Sequence, residues 1–211
     1  MCSSDLAIEE AHWPQEFAAR DAALRRLAFD ELLAVQIALV RRRRRRRRGV
    51  APRIEVDPAK RQAIESGIRS GLATGGAPWT SDQVGAIDAI LEDLAGERPM
   101  LRLLQGDVGT GKTAVALVAA AAAAAAGQQT ALLAPTELLA RQHAATAERL
   151  LRSIGVHTAL LIGGDGVAAR RAARERAASG DAALVVGTHA LFAEATHFAA
   201  LGLVKIGRAH V

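Results

Sequence analysis

The stretch Gly106-Asp107-Val108-Gly109-Thr110-Gly111-Lys112-Thr113 decides the fold class of this 211-residue chain. It matches the pattern G-x-x-x-x-G-K-[ST], which predicts a loop whose backbone N–H groups surround phosphate oxygens at the start of a helix. The apolar residues 100–105 before it predict a strand, and residues 112–126 after it predict a helix. A glycine-rich turn without a ligand is the alternative, and the matching flanks make it the weaker one.

Two side chains of this loop would carry chemistry. Lys112 is expected to reach the β- and γ-phosphates of a bound nucleotide, and the Thr113 hydroxyl is expected to bind Mg²⁺. Both are therefore candidate catalytic residues, and all eight residues from Gly106 to Thr113 are candidates for nucleotide binding.

Helices and short apolar runs alternate from Thr80 onward. Helices are predicted over residues 81–95, 112–126, 137–151 and 167–178, and strands over residues 100–105, 130–134, 157–162, 183–186 and 203–206. Such an alternation predicts an α/β fold, in which helices flank both faces of a parallel sheet.

The first 79 residues have a different pattern. Residues 7–40 read as one helix, which the arginine run Arg41–Arg48 continues to Gly49. Residues 50–79 contain prolines, glycines and a short helical segment over 59–69, and read as a connector. A helical linker is thus expected to precede the sheet.

Composition excludes several classes of protein. With 50% apolar and 23% charged residues the chain can build a core, which argues against a disordered tail, and its single cysteine, Cys2, rules out an internal disulfide. The longest apolar run, Ala114–Ala126, is too short to span a bilayer, and the acidic N-terminus does not resemble a signal peptide. A cytoplasmic protein is expected.

The net charge of +5 comes from the arginine run, since the formal charge without Arg41–Arg48 is −3. The run has two interpretations: it contacts DNA phosphates, or it is the solvated end of a linker helix. The second is favoured from sequence alone.

Three segments together resemble the first helicase lobe of the RecG family of ATP-dependent DNA helicases, which remodel stalled replication forks. They are residues 105–113, residues 134–143 (Ala-Pro-Thr-Glu-Leu-Leu-Ala-Arg-Gln-His) and residues 187–191 (Gly-Thr-His-Ala-Leu). Thr80-Ser81-Asp82-Gln83, Pro99-Met100 and the linker-helix stretch Phe29-Asp30-Glu31-Leu32-Leu33 resemble the same family. The resemblance implies a P-loop, RecA-like sheet with ATP and Mg²⁺ as cofactors.

The resemblance also implies roles for residues outside the loop. Gln83 would hydrogen-bond adenine and so favour ATP. DNA would be contacted by two loops: Pro135, Thr136 and Glu137 in one, and Gly187, Thr188 and His189 in the other. Their contacts would be to the phosphodiester backbone of branched or forked DNA, without sequence specificity. Helix capping is the alternative for Thr136, and His143 is expected to pack or to cap rather than to react.

One family motif is missing. The family pattern would place Asp-Glu-x-His, which holds Mg²⁺ and orients water, at positions 207–210, where this chain has Gly207, Arg208, Ala209 and His210. Codons for residues 205–210 can also be the reverse complement of codons for residues 1–6, as in translated sequencing adapter. Residues 1–6 and 205–211 are therefore expected to be adapter-derived.

The chain is accordingly expected to be a fragment. Residues 7–49 would be the linker helix from a wedge domain, 50–79 a connector, and 80–204 the N-terminal part of an incomplete helicase lobe 1. The family's fold would place a strand from later sequence beside residues 100–105. Without it, apolar sheet edge is expected to be exposed, unwinding to be absent and nucleotide affinity to be weak.

Two other functions stay open. One is a truncated nucleotide-binding module without catalysis. The other is the translocase module of a transcription-repair coupling factor, although that family usually has Lys-Thr-Glu where this chain has Lys112-Thr113-Ala114. In each case neither a membrane nor an obligate protein partner is inferred.

Overall fold

The computed structural model describes residues 4–47, 49–72 and 75–207, which form two compact units divided after Val50. In the first unit, α1 (Ser4–His12) packs against α2 (Phe17–Arg47). The single helix predicted from residue 7 is therefore two helices. They are separated at Pro14, because proline lacks an N–H and disfavours helical backbone in the residue before it. The arginine run stays helical to Arg47, as predicted, and Arg48 lies outside the described residues.

The second unit has an α/β fold with a parallel sheet, which confirms the predicted class. Its elements are α3 (Pro58–Ser70), α4 (Ser81–Ala95), α5 (Lys112–Ala125), β1 (Gln129–Leu133), α6 (Glu137–Leu151), β2 (Thr158–Leu161), α7 (Val167–Ser179), β3 (Leu184–Gly187) and β4 (Leu201–Ile206). The four strands are ordered β2-β3-β1-β4, and every pairing is parallel.

The predicted strand over residues 100–105 is wrong. Residues 101–107 form no regular element, and none of the four strands pairs with them. Leu101 and Leu103 are 76% and 73% exposed. A strand exists through hydrogen bonds to a neighbouring strand, so an apolar sequence without such a neighbour stays irregular. The described sheet ends at β4, where Leu201, Val204 and Ile206 are also exposed.

The core lies on both faces of the sheet. Leu184 and Val186 of β3 face the larger cluster, which α3, α4, α5 and α6 complete, whereas Val185 faces a smaller cluster with Ala173 and Ala177 of α7. This alternation is the period of two expected of a strand buried on both sides. At the centre of the larger cluster lies α5, in which nine residues are buried. Alanine methyl groups let this helix approach its neighbours closely.

Gln129 is a buried polar residue at the start of β1, with 3% exposure. Its Nε2 donates to the carbonyl oxygens of Ala177 (2.9 Å) and Ala182 (2.8 Å), and its Oε1 accepts from the Ala200 N–H (2.9 Å). One side chain thus joins the end of α7, the segment before β3 and the segment before β4.

The helices in the described part of the chain do not meet the requirements of a bilayer span. None combines the length and the apolar character needed to cross a membrane.

Candidate nucleotide and nucleic-acid site

The loop before α5 has the backbone that a phosphate site requires. Gly109 and Gly111 have φ values of +85° and +81°, in the left-handed region of backbone conformation that residues with a side chain rarely adopt. Gly111 is also the N-cap of α5 and makes no side-chain hydrogen bond to the helix. The first N–H groups of a helix have no partner within it, so this uncapped end leaves donors available for an anion. The loop therefore fits a bound phosphate group.

Lys112 lies inside this loop. Its Nζ donates to the carbonyl oxygens of Gly106 (2.6 Å) and Asp107 (2.5 Å), and the Thr110 hydroxyl also donates to the Asp107 carbonyl (2.9 Å). Because the ammonium is held by neutral carbonyls, an anionic phosphate would be a stronger partner at the same place. Thr113 is the second residue of α5. Its role in Mg²⁺ binding stays a prediction.

Gln83 connects α4 with the P-loop. Its Oε1 accepts from the Thr80 N–H (3.0 Å), the Thr80 hydroxyl accepts from the Gln83 N–H (3.3 Å), and Gln83 Nε2 donates to the Thr110 carbonyl (3.0 Å). The first two bonds form a capping box that begins α4. The T-x-x-Q spacing predicts such a box, but the sequence analysis assigned Gln83 only to adenine.

The two predicted DNA loops lie at one edge of the sheet. Residues 135–137 follow β1, residues 187–189 begin at the last residue of β3, and these two strands are parallel neighbours. The Thr136 hydroxyl caps α6 by accepting from the Leu139 N–H (3.3 Å). This is the helix-capping role that the sequence offered as the alternative to DNA contact. Thr188 is 8% exposed and His189 is exposed. Of the two, His189 offers the more accessible side chain.

A third loop at this edge was missed by the sequence analysis. Residues 163–166 follow β2, and Glu137 Oε1 accepts from the Gly164 N–H at 2.7 Å. One turn further along α6, Arg141 forms an ion pair with Asp165 at 2.5 Å. The pattern Gly-Gly-Asp-Gly signals a loop, but nothing in the sequence pairs it with Glu137.

His143 and Lys205 are two partly buried bases on α6 and β4. Burial lowers the pKa of His143, and the positive charge of Lys205 lowers it further. Burial also lowers the pKa of the Lys205 ammonium. His143 is therefore mostly neutral near pH 7, consistent with the predicted packing role.

The end of β4 is where the acidic motif would follow. The Gly207 N–H donates to the Leu133 carbonyl at 2.7 Å, so the chain continues alongside β1 to this point. Arg208, Ala209 and His210 lie outside the described residues. Within the described ranges, no three His, Cys, Asp or Glu side chains are grouped so that they could hold a metal ion.

A family model of known proteins covers the part of the chain that contains this site. The family model described as DEAD/DEAH box helicase matches residues 80–206, which include the P-loop and all three strand-end loops. The chain belongs to the DEAD/DEAH box helicase family. Helicases of this family use ATP, and the fold of the second unit is the RecA-like fold of these helicases.

Within this family the chain is similar to RecG helicases. It is 35% identical to the ATP-dependent DNA helicase RecG of Aquifex aeolicus (strain VF5) over 211 residues, 97% of this chain and 26% of that protein. The RecG of Treponema pallidum (strain Nichols) is 50% identical over 131 residues, 62% of this chain and 19% of that one. These similarities confirm the resemblance to RecG.

A solved structure of RecG bound to a three-way DNA junction is also similar. It superimposes with a TM-score of 0.78 at 34% identity, over 94% of this chain and 26% of that chain. The chain thus spans about a quarter of the length of the Aquifex aeolicus RecG and of the RecG in this solved structure.

Proposed function

We propose that this chain is part of an ATP-dependent DNA helicase or translocase that acts on branched DNA, such as stalled replication forks and recombination intermediates. The observation that carries the proposal is the P-loop, with two left-handed glycines before the uncapped start of α5. The similarity to RecG, whose structure was solved on a three-way DNA junction, supports branched DNA as the substrate class. The protein is proposed to work in the cytoplasm, without an obligate protein partner.

ATP and Mg²⁺ are the proposed cofactors. ATP supplies the phosphoanhydride bond whose hydrolysis drives movement. Lys112 would exchange the Gly106 and Asp107 carbonyls for the β- and γ-phosphates, and the Thr113 hydroxyl would bind Mg²⁺. Gln83 would turn its amide from Thr80 and Thr110 toward adenine. Gly106 to Gly111 would contribute backbone N–H groups.

The proposed DNA surface is the edge formed by residues 135–137 and 187–189. It would contact the phosphodiester backbone rather than base edges, which gives binding without sequence specificity. The exposed ring of His189 is the side chain most available for this contact. Thr136 would contribute from its position at the start of α6 while it caps that helix.

A second candidate is a nucleotide-binding module without catalysis. It is favoured by Gly207, which occupies the position after β4 where the family pattern has its first acid. For either candidate we expect this chain by itself to bind nucleotide weakly and not to unwind DNA.

Nucleotide binding and hydrolysis test the proposal directly. A fluorescent ATP analogue is titrated into the chain with and without Mg²⁺, and phosphate release is followed with and without forked DNA. We expect weak, Mg²⁺-dependent binding that is lost in Lys112→Ala and kept in Lys60→Ala, a control that removes an exposed lysine of α3. Unchanged binding in Lys112→Ala would contradict the nucleotide site. Rapid DNA-stimulated phosphate release would contradict the expected inactivity of this chain.

A further inference from the structure

The exposed side chain of Glu137 contacts the backbone of another loop. It is the first residue of α6, and its Oε1 accepts from the Gly164 N–H at 2.7 Å. A carboxylate that accepts from a backbone N–H makes one of the stronger hydrogen bonds in proteins. Four residues later, Arg141 pairs with Asp165. Two consecutive residues of the loop are therefore fastened to one face of α6.

Two glycines of this loop lie so close to the Glu137 carboxylate that they leave little or no room for a side chain. A Cβ on Gly164 would overlap Glu137 Oε2 and lie 3.2 Å from its Oε1, and a Cβ on Gly163 would lie 3.5 Å from Oε1. A methyl group on Gly166, in contrast, would meet no atom within 4 Å. The close approach is thus specific to the part of the loop that contacts Glu137.

The strand order places this loop next to the proposed DNA surface. In the order β2-β3-β1, β3 lies between the other two strands. The loops 163–166, 187–189 and 135–137 consequently follow one another along the same edge, because parallel strands end on the same side. Glu137 spans from the loop after β1 to the loop after β2, across the end of β3.

Within the DNA surface proposed above, we propose that Glu137 is a positioning residue, and that the contacts to DNA come from its neighbours rather than from Glu137 itself. Its carboxylate holds the backbone of residues 163–165 beside residues 187–189, so that three loops present one continuous surface to a phosphodiester backbone. A carboxylate that touched DNA directly would be repelled by the phosphates, whereas one bonded to a backbone N–H is partly neutralised. This inference rests on the DNA-binding role proposed above.

A double-mutant cycle tests the contact. Glu137→Ala removes the hydrogen bond, Gly164→Ala introduces the overlap, and the double variant removes both the bond and the overlap. Gly166→Ala is the matched control in the same loop, and Glu137→Gln keeps an oxygen that accepts the Gly164 N–H. Hydrogen exchange of residues 163–165 and anisotropy of a labelled single-stranded oligonucleotide are measured on the whole chain, with melting temperatures for folding.

We expect Glu137→Ala and Gly164→Ala each to weaken DNA binding about tenfold, the size of one charge-assisted hydrogen bond. The double variant should be no weaker than either single one, because both act on the same contact. Glu137→Gln should restore most of the affinity, and Gly166→Ala should leave hydrogen exchange at residues 163–165 unchanged, because a methyl group there meets no atom within 4 Å. Exchange at residues 163–165 should become faster in Glu137→Ala and stay slow in Glu137→Gln.

The two proposals fail in different ways. If the wild-type chain binds DNA and Glu137→Ala binds equally well, or if the single effects add in the double variant, the positioning role is wrong. Unchanged hydrogen exchange in Glu137→Ala would overturn it as well, whatever the DNA result. If the wild-type chain shows no DNA binding at low salt, the proposed DNA surface is wrong and the positioning role falls with it.

Discussion

Replacing Gln129 with methionine should cost more stability than any conservative change at the protein surface. Methionine keeps the length of the side chain but removes the hydrogen bonds to Ala177, Ala182 and Ala200. The Ala177 carbonyl keeps other donors, the N–H groups of Gly180 and Ala199, both at 3.3 Å. The Ala182 carbonyl and the Ala200 N–H lose the partner that Gln129 provides.

An orphaned buried polar group costs about 1–3 kcal/mol, so the buried Ala182 carbonyl alone predicts a loss of roughly 1–3 kcal/mol, to which the half-buried Ala200 N–H adds a smaller cost. This is a large part of the total stability of a domain, about 5–15 kcal/mol. Equilibrium unfolding in urea, followed by circular dichroism, gives the difference from the shift in midpoint at constant slope. Gln128→Met is the control, since this neighbouring glutamine is only half-buried. The reasoning is refuted if Gln129→Met costs no more than the control.

Three further changes test separate parts of the second unit. Gly85→Ala should raise the free energy of unfolding by roughly 0.5–1 kcal/mol, because Gly85 is exposed within α4 and a methyl group there meets no atom within 4 Å. An unchanged or lower free energy of unfolding in urea would contradict this. The lowered pKa of His143 means that the unfolded chain binds a proton at higher pH than the folded chain, so stability should fall as the pH drops below the ordinary value of 6.5. His143→Asn should flatten that dependence, and an unchanged pH profile would show that other groups cause it. Gln83→Ala should reduce the preference for ATP over GTP about three- to tenfold, the worth of one hydrogen bond, in competition titrations; unchanged preference would remove Gln83 from the adenine site.

The sequence was sufficient for features that depend on neighbouring residues. The start of α5 at the glycine-rich loop and the Thr136 cap are local: the first was predicted from the P-loop pattern, and the second was the alternative given for Thr136. Alternating helices and apolar runs likewise predicted a parallel sheet with helices on both faces, because that arrangement is the usual way to bury such strands.

Features that depend on distant partners could not be read in this way. Residues 100–105 have the composition of a strand, but no described strand pairs with them, and composition does not report a missing neighbour. Gln129 looks like an ordinary polar residue beside Gln128, and its three partners lie 48 to 71 residues away. Glu137 was grouped with its sequence neighbours, whereas its contact lies 27 residues further on.

The alanine helix at the centre of the larger cluster has a consequence for which changes of length the chain can accept. Eight consecutive alanines, Ala119–Ala126, form the second half of this helix and its C-cap. One added alanine rotates everything after it by about 100° and advances it by about 1.5 Å. The packing of the run itself would notice little, since every face carries the same methyl group. The turn at Gly127 would be displaced, however, and Gln129 with it, away from all three of its partners. The number of residues in this run is therefore fixed by Gln129, although the run itself could pack equally well with one more alanine.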